Sequence, residues 1–169
     1  GWLTSTVVRF YWAYEREGKL DAYISTVLWS TVASLVGVAL VMAAVLYGVP
    51  GLVGEGVRRL LPIGFAALGV NYLVQVLQQI MRAANRSTAY ALLAVASNLF
   101  ATAFGVYFVA QADMGSFGIL FGVVLGNLIL VPFGLKTAKK EGSLSPTEFS
   151  RDALSEFARY GLPMIPAAL

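Results

Sequence analysis

The stretch NYLVQVLQQIMRAANRSTAY, residues 71–90, places Asn71, Gln75, Gln78, Gln79, Arg82 and Arg86 in a strongly apolar run. At about 100° per residue, the four carboxamides and Arg82 share an arc of about 100° on a helical cylinder. Val74, Val76, Leu77 and Ile80 fall mostly on the rest of it. Carboxamides donate and accept hydrogen bonds without carrying charge, and a guanidinium grips a carboxylate or phosphate through two parallel bonds. In hydrocarbon each unsatisfied polar group costs several kcal/mol, so the stripe must face other helices or a wet cavity. One reading is hydrogen bonding between helices, worth about 0.6 kcal/mol per contact. The other is the wall of a polar substrate path. The length of the stripe and its terminal arginine favour the path, with Asn71, Gln75, Gln78 and Arg82 as its candidate lining.

Arg9 lies in a second apolar run, TSTVVRFYWAY, shortly before Glu15. An arginine within a membrane span usually faces the bundle interior. Its nearness to the chain's first charged loop also allows it to reach the headgroups. Both readings stand, and the first would make Arg9 a further cavity residue suited to an anionic group. Gly118, Gly122 and Gly126 recur every four residues and are followed by Asn127. Such a ridge lets a second helix backbone approach closely and is read as packing.

Much chemistry is missing. The chain has no cysteine and no histidine, which excludes disulfides, thiolate chemistry and the commonest metal ligand. No P-loop and no HExxH motif is present, and no nucleophile–base pair stands out. An enzyme is therefore not expected, nor a cofactor, a metal or a nucleic-acid partner.

The elements that must hold these residues are apolar helices. Of 169 residues, 58% are hydrophobic and 12% charged, with a mean hydropathy of +0.73. Soluble domains carry about 25% charged residues, so the surrounding medium here is expected to be lipid. Uncharged runs cover 22–54, 60–81, 87–112 and 114–135. The spacing predicts full spans at 22–48, 58–81, 88–110 and 116–135, with a turn at GVPG (48–51). Pro62 is placed near the start of its helix, and Pro132 is expected to kink the last span. Residues 1–14 read as the second half of another span and 160–169 as the first half of one more, so the sequence looks like part of a longer chain. No complete span contains Asp or Glu, the usual partners of proton or sodium coupling.

Lys and Arg in the connections set the orientation. Ten lie on one side: Arg9, Arg16, Lys19, Arg82, Arg86, Lys136, Lys139, Lys140, Arg151 and Arg159; only Arg58 and Arg59 lie on the other. Loops 15–21, 82–87 and 136–160 are thus expected in the cytoplasm, with the chain in the inner membrane. The segment EGSLSPTEFSRDALSEFARY (141–160) is more polar. Ser145, Pro146 and Glu148 form a capping-box signature, and Phe149, Ala153, Leu154 and Phe157 share one face. This predicts a short amphipathic helix, either a plain linker or one lying on the inner leaflet, the second being favoured. The organisation expected is all-α: a transmembrane bundle over 1–140, a cytoplasmic linker helix over 141–160 and the start of another transmembrane helix over 161–169.

Three stretches together resemble the Wzx-like polysaccharide flippases of the MOP exporter superfamily. STVVRFYWAYEREGKLDAYISTVLW (5–29) is similar to the family's second-to-third-helix region. LQQIMRAANRSTAY (77–90) resembles the end of its fourth helix, and LSEFARYGLPMIPAAL (154–169) the beginning of its seventh. The glycine-rich span is similar to the sixth. The resemblance implies two six-helix lobes around a central cavity, this chain supplying most of the first lobe, the second being missing. It implies alternating access that carries a polyprenyl-pyrophosphate-linked oligosaccharide across the membrane. Arg9 and Arg82 would then meet the pyrophosphate or acidic sugars, and Asn71, Gln75 and Gln78 the sugar hydroxyls. Other expected partners are the bilayer and the remaining helices of the same protein. The alternatives are a MOP-type multidrug or lipid exporter and a non-transporting membrane scaffold.

Overall fold

A computed structural model describes residues 2–48 and 54–161. Among the described residues six α-helices follow one another: α1 (Trp2–Arg16), α2 (Leu20–Gly48), α3 (Glu55–Ala83), α4 (Ser87–Ala110), α5 (Gly115–Ala138) and α6 (Arg151–Gly161), with a 3-10 turn at Pro146–Glu148. No strand forms among the described residues. Four of the helices are long and apolar enough to cross a membrane, within Leu20–Ala44, Gly56–Ala83, Ser87–Ala110 and Gly115–Ala138. The turn expected at 48–51 and the half-span expected at 160–169 lie largely outside the described residues.

The helix ends follow from local chemistry. Lys19 N–H bonds to the Tyr14 carbonyl at 2.9 Å across Gly18, whose φ of +69° suits glycine. Arg86 N–H reaches the Met81 carbonyl at 2.9 Å in the same way, across Asn85 at φ +57°. These two C-terminal motifs fold α1 back to α2 and α3 back to α4 within a few residues. Helix α3 starts earlier than the sequence suggests, so Pro62 lies inside it and not in its first turn. Proline has no N–H to offer the ladder, and it stands two turns from the start of the helix. Helix α5 runs unbroken through Pro132.

The core lies between α3 and α5 and extends to α1. Val74, Leu77, Ile80 and Met81 of α3 are buried with Leu130 and Ala138 of α5, Leu93 of α4 and Val7 of α1. Helices α4 and α5 form the closest pair. A Cβ built on Gly122 would lie 2.5 Å from Gly105 Cα, and one on Gly126 2.5 Å from Ala101 N. One on Gly118 would lie 3.0 Å from Phe108 Cβ. Three successive turns of α5 thus press directly on the backbone of α4, which only glycine permits. Phe104, Phe108 and Phe121 pack beside this seam, with Phe108 and Phe121 edge to face at 5.1 Å.

The segment between α5 and α6 departs from the single capped helix read from the sequence. Ser145 does act as a cap, its hydroxyl accepting from Thr147 N–H, but the capped element is only the 3-10 turn. The chain then re-extends at Phe149, and α6 starts afresh behind Ser150, whose Oγ accepts from Ala153 N–H at 3.3 Å. The reason for the break is tertiary. Ser150 N–H donates to Thr26 Oγ1 at 3.0 Å, and Ser25 Oγ donates to the Ser145 carbonyl at 2.6 Å. Trp29 Nε1 donates to the Leu144 carbonyl at 3.3 Å, and Ser143 N–H to Asp21 Oδ1 at 2.5 Å. A continuous helix would have taken some of these groups for itself. The apolar side of α6 is also covered by protein: Phe157 is fully buried among Tyr23, Phe10 and Tyr14, with ring centroids at 5.5, 5.9 and 6.2 Å.

Candidate functional site

Helix α3 presents two opposite sides. Val76, Leu77, Ile80, Met81 and Ala83 are buried in the core. The arc holding Asn71, Gln75, Gln78, Gln79 and Arg82 is centred about half a turn away from them. Gln75 and Arg82 are exposed, and Asn71, Gln78 and Gln79 are half-buried. The hydrogen bond within the stripe is internal to α3, from Gln75 Nε2 to Asn71 Oδ1 at 3.0 Å. Among the described residues, no side chain of another helix is bonded to the stripe. The structure therefore brings Asn71, Gln75, Gln78 and Arg82 onto one open wall, with Arg82 at the end that carries the basic loops. Helix α1 includes Arg9, whose side chain lies outside the described residues.

Two hollows flank the upper part of that wall. Between α2 and α3 lies one of about 410 Å³, lined by Ser34, Leu35, Phe65, Leu68, Asn71 and Gln75 among others. Between α3, α4 and α5 lies one of about 550 Å³. Its polar lining is Asn71, Ser97, Asn98, Thr102 and Asn127, and its apolar lining includes Ala101, Gly105, Val106, Ile119 and Val123. No ionisable side chain is among its lining residues. Asn71, Asn98 and Asn127 each stand near the midpoint of their helix, so the polar end of this cavity sits near the middle of the membrane.

Its polar groups are unequally committed. Asn127 is buried and bonded on both sides: Ser97 Oγ donates to its Oδ1 at 2.5 Å, and its Nδ2 donates to the Val123 carbonyl at 3.0 Å. Asn98 Nδ2 donates to the Ala94 carbonyl at 2.9 Å. Among the described residues, Asn98 Oδ1, Asn71 Nδ2 and the Thr102 hydroxyl have no protein partner. No fully buried side-chain polar atom among the described residues lacks a bond. The unused groups are those that open into the cavity. Sequence reasoning singled out Asn71 but passed over Ser97, Asn98 and Thr102. The legible signal was Asn98 and Thr102 at i and i+4, both polar, in the middle of an apolar span.

The basic-loop end is tied together by a carboxylate. Glu141 accepts from Arg86 Nε and, at 3.5 Å, from the Tyr11 hydroxyl. Tyr14 donates to Glu156 at 2.8 Å. With the Asp21–Ser143 bond, these contacts place loops 15–21, 82–87 and 136–160 at one end of the bundle. Lys19 pairs with Glu17 at 2.8 Å, and this hydrogen bond raises the Lys19 pKa above its ordinary value.

Four apolar helices of spanning length, connected so that every basic loop but one pair of arginines falls at the same end, define a polytopic α-helical membrane protein. It is multi-pass, and its helices pack as they do in larger membrane assemblies. No family model, no curated protein and no solved structure matches the chain.

Proposed function

We propose that the chain forms the substrate-facing side of a membrane transporter. The observation that carries this reading is the orientation of α3, which buries its apolar side and turns a stripe of three glutamines, an asparagine and an arginine away from the core. Lipid is a poor neighbour for such a wall, and no helix of the described residues is bonded to it. A water-filled path closed by further helices suits it. In transporters, substrates bind near the bilayer midplane at such interfaces, by alternating access. We read the protein as a carrier and not as an enzyme.

The cargo most consistent with the wall has hydroxyls and a phosphate. Gln75, Gln78 and Asn71 offer neutral donors and acceptors, and Arg82, at the inner rim, offers a bidentate anion site. With the resemblance to the Wzx-like flippases, this supports the transfer of a polyprenyl-pyrophosphate-linked oligosaccharide across the cytoplasmic membrane. The test is polysaccharide export in cells that depend on this protein, with Gln75→Leu, Gln78→Leu and Arg82→Ala introduced singly. Export per molecule of protein is expected to fall while abundance holds. Reduced abundance with unchanged export per molecule would make the stripe a packing element and overturn the reading.

A further inference from the structure

We infer that the cavity between α3, α4 and α5 is a binding site for an uncharged, hydroxyl-bearing group of about the size of a sugar ring. Its volume of about 550 Å³ falls within the range of about 300–1,000 Å³ usual for small-molecule sites. Three polar groups that lack a protein partner converge on it: Asn71 Nδ2 as donor, Asn98 Oδ1 as acceptor and the Thr102 hydroxyl as either. Asn98 and Thr102 are exposed and Asn71 half-buried; at mid-membrane depth such groups are expensive to leave against lipid, and one hydroxyl-bearing occupant would match all three. The complement of one donor, one acceptor and one hydroxyl is a set of hydroxyls, each of which donates and accepts. Ala101, Gly105 and Val106 supply an apolar floor for the C–H face of a ring.

The same lining argues against an ion. An anion would need a cation or a full ring of convergent N–H donors, and the lining holds no cation and three amides, two of which already spend one N–H on a backbone carbonyl. Arg82 stands on α3 with Asn71 but does not line the cavity, and Glu141 lies at the basic-loop end. A carboxylate placed beside Asn98 and Asn127 would remain uncompensated. The site therefore selects for neutral over acidic rings. This rests on the transporter reading for its biological meaning, since it names which part of a cargo halts at mid-depth; the binding itself stands apart from transport.

The experiment uses purified protein in lipid nanodiscs and a photoreactive alkyl glucoside, with labelled peptides mapped by mass spectrometry. Competitors are an unlabelled alkyl glucoside and the alkyl glucuronide of equal chain length, which differs by a ring carboxylate. Labelling is expected to concentrate on residues 97–106 and 119–127, above that on the outward face of α2 at 36–41. Net hydrogen bonds of this kind change affinity by roughly three- to tenfold each. Asn98→Leu, and the near-isosteric Thr102→Val, should each weaken competition by the glucoside by about that factor. The glucuronide should compete at least about tenfold more weakly than the glucoside. Equal competition by the two, labelling no stronger than on α2, or unchanged labelling in both variants would overturn the inference. Selective labelling retained by variants of Arg82 and Gln78 that also retain export would leave the site and remove the transporter reading's wall. Export without selective labelling would do the reverse.

Discussion

Replacing Gly122 by alanine adds one methyl group at the tightest point between α4 and α5. The new Cβ would stand 2.5 Å from Gly105 Cα, backbone against backbone, with no flexible side chain to yield. Ordinary carbon contacts lie at about 3.5–4.0 Å, so the helices must part by about 1 Å. A gap of that size forfeits a quarter to a half of the dispersion energy of each contact along the seam, and overpacking of this kind costs about 1–3 kcal/mol. Gly126→Ala should behave alike, its Cβ falling 2.5 Å from Ala101 N. The same interface holds its own control. A Cβ on Gly105, the partner of Gly122, would meet its nearest atom, Ile119 Cα, at 3.8 Å, which is ordinary contact. Gly37→Ala, with nothing within 4 Å, reports the gain in helix propensity alone. Unfolding in mixed micelles as the denaturing detergent fraction rises should therefore rank Gly122→Ala and Gly126→Ala well below Gly105→Ala and Gly37→Ala. If Gly122→Ala unfolds within about 0.5 kcal/mol of Gly105→Ala, the seam does not rest on backbone contact.

Phe157→Ala empties the ring cluster of Tyr23, Phe10 and Tyr14 and should cost about 3–5 kcal/mol at that site, seen as faster amide exchange confined to α6 and residues 143–150. A double-mutant cycle on Arg86→Gln and Glu141→Gln should give a coupling of about 0.2–1 kcal/mol at low salt that shrinks by 1 M salt, because Arg86 is nearly half exposed; a coupling indifferent to salt would contradict it. Because the chain contains no cysteine, Ala112→Cys and Lys139→Cys are clean reporters: an impermeant thiol reagent applied to intact cells should modify the first and spare the second, and the opposite pattern would invert the orientation.

The helices were legible in the sequence because uncharged runs of spanning length leave little else to form, and the two basic turns at 16–19 and 82–86 mark where the chain reverses. The arc of Asn71, Gln75, Gln78 and Arg82 was legible as well, since helical periodicity alone places it. What α3 turns toward the core was open until packing chose Val76, Leu77 and Ile80. The cavity beside α4 was not legible, because Asn71 stands on α3, Asn98 and Thr102 on α4 and Asn127 on α5, and only helix packing brings them together. Nor was the interruption at Phe149. The capping box is a local signal, and four hydrogen bonds to residues of α2 more than a hundred positions away outweigh it.

Those bonds also set a timetable. Asp21, Ser25 and Thr26 find their partners 122, 120 and 124 residues later in the chain. At synthesis rates of about 5–20 residues per second, the inner turns of α2 wait roughly 6–24 s for them. During that interval the Asp21 carboxylate and the Ser25 hydroxyl need water, while the Thr26 hydroxyl keeps its bond to the Ala22 carbonyl. The 29 residues of α2 extend about 43 Å, against about 30 Å of hydrocarbon, so the helix is long enough to leave these turns outside it. The collar of residues 143–150 closes only after every apolar span described here has been made.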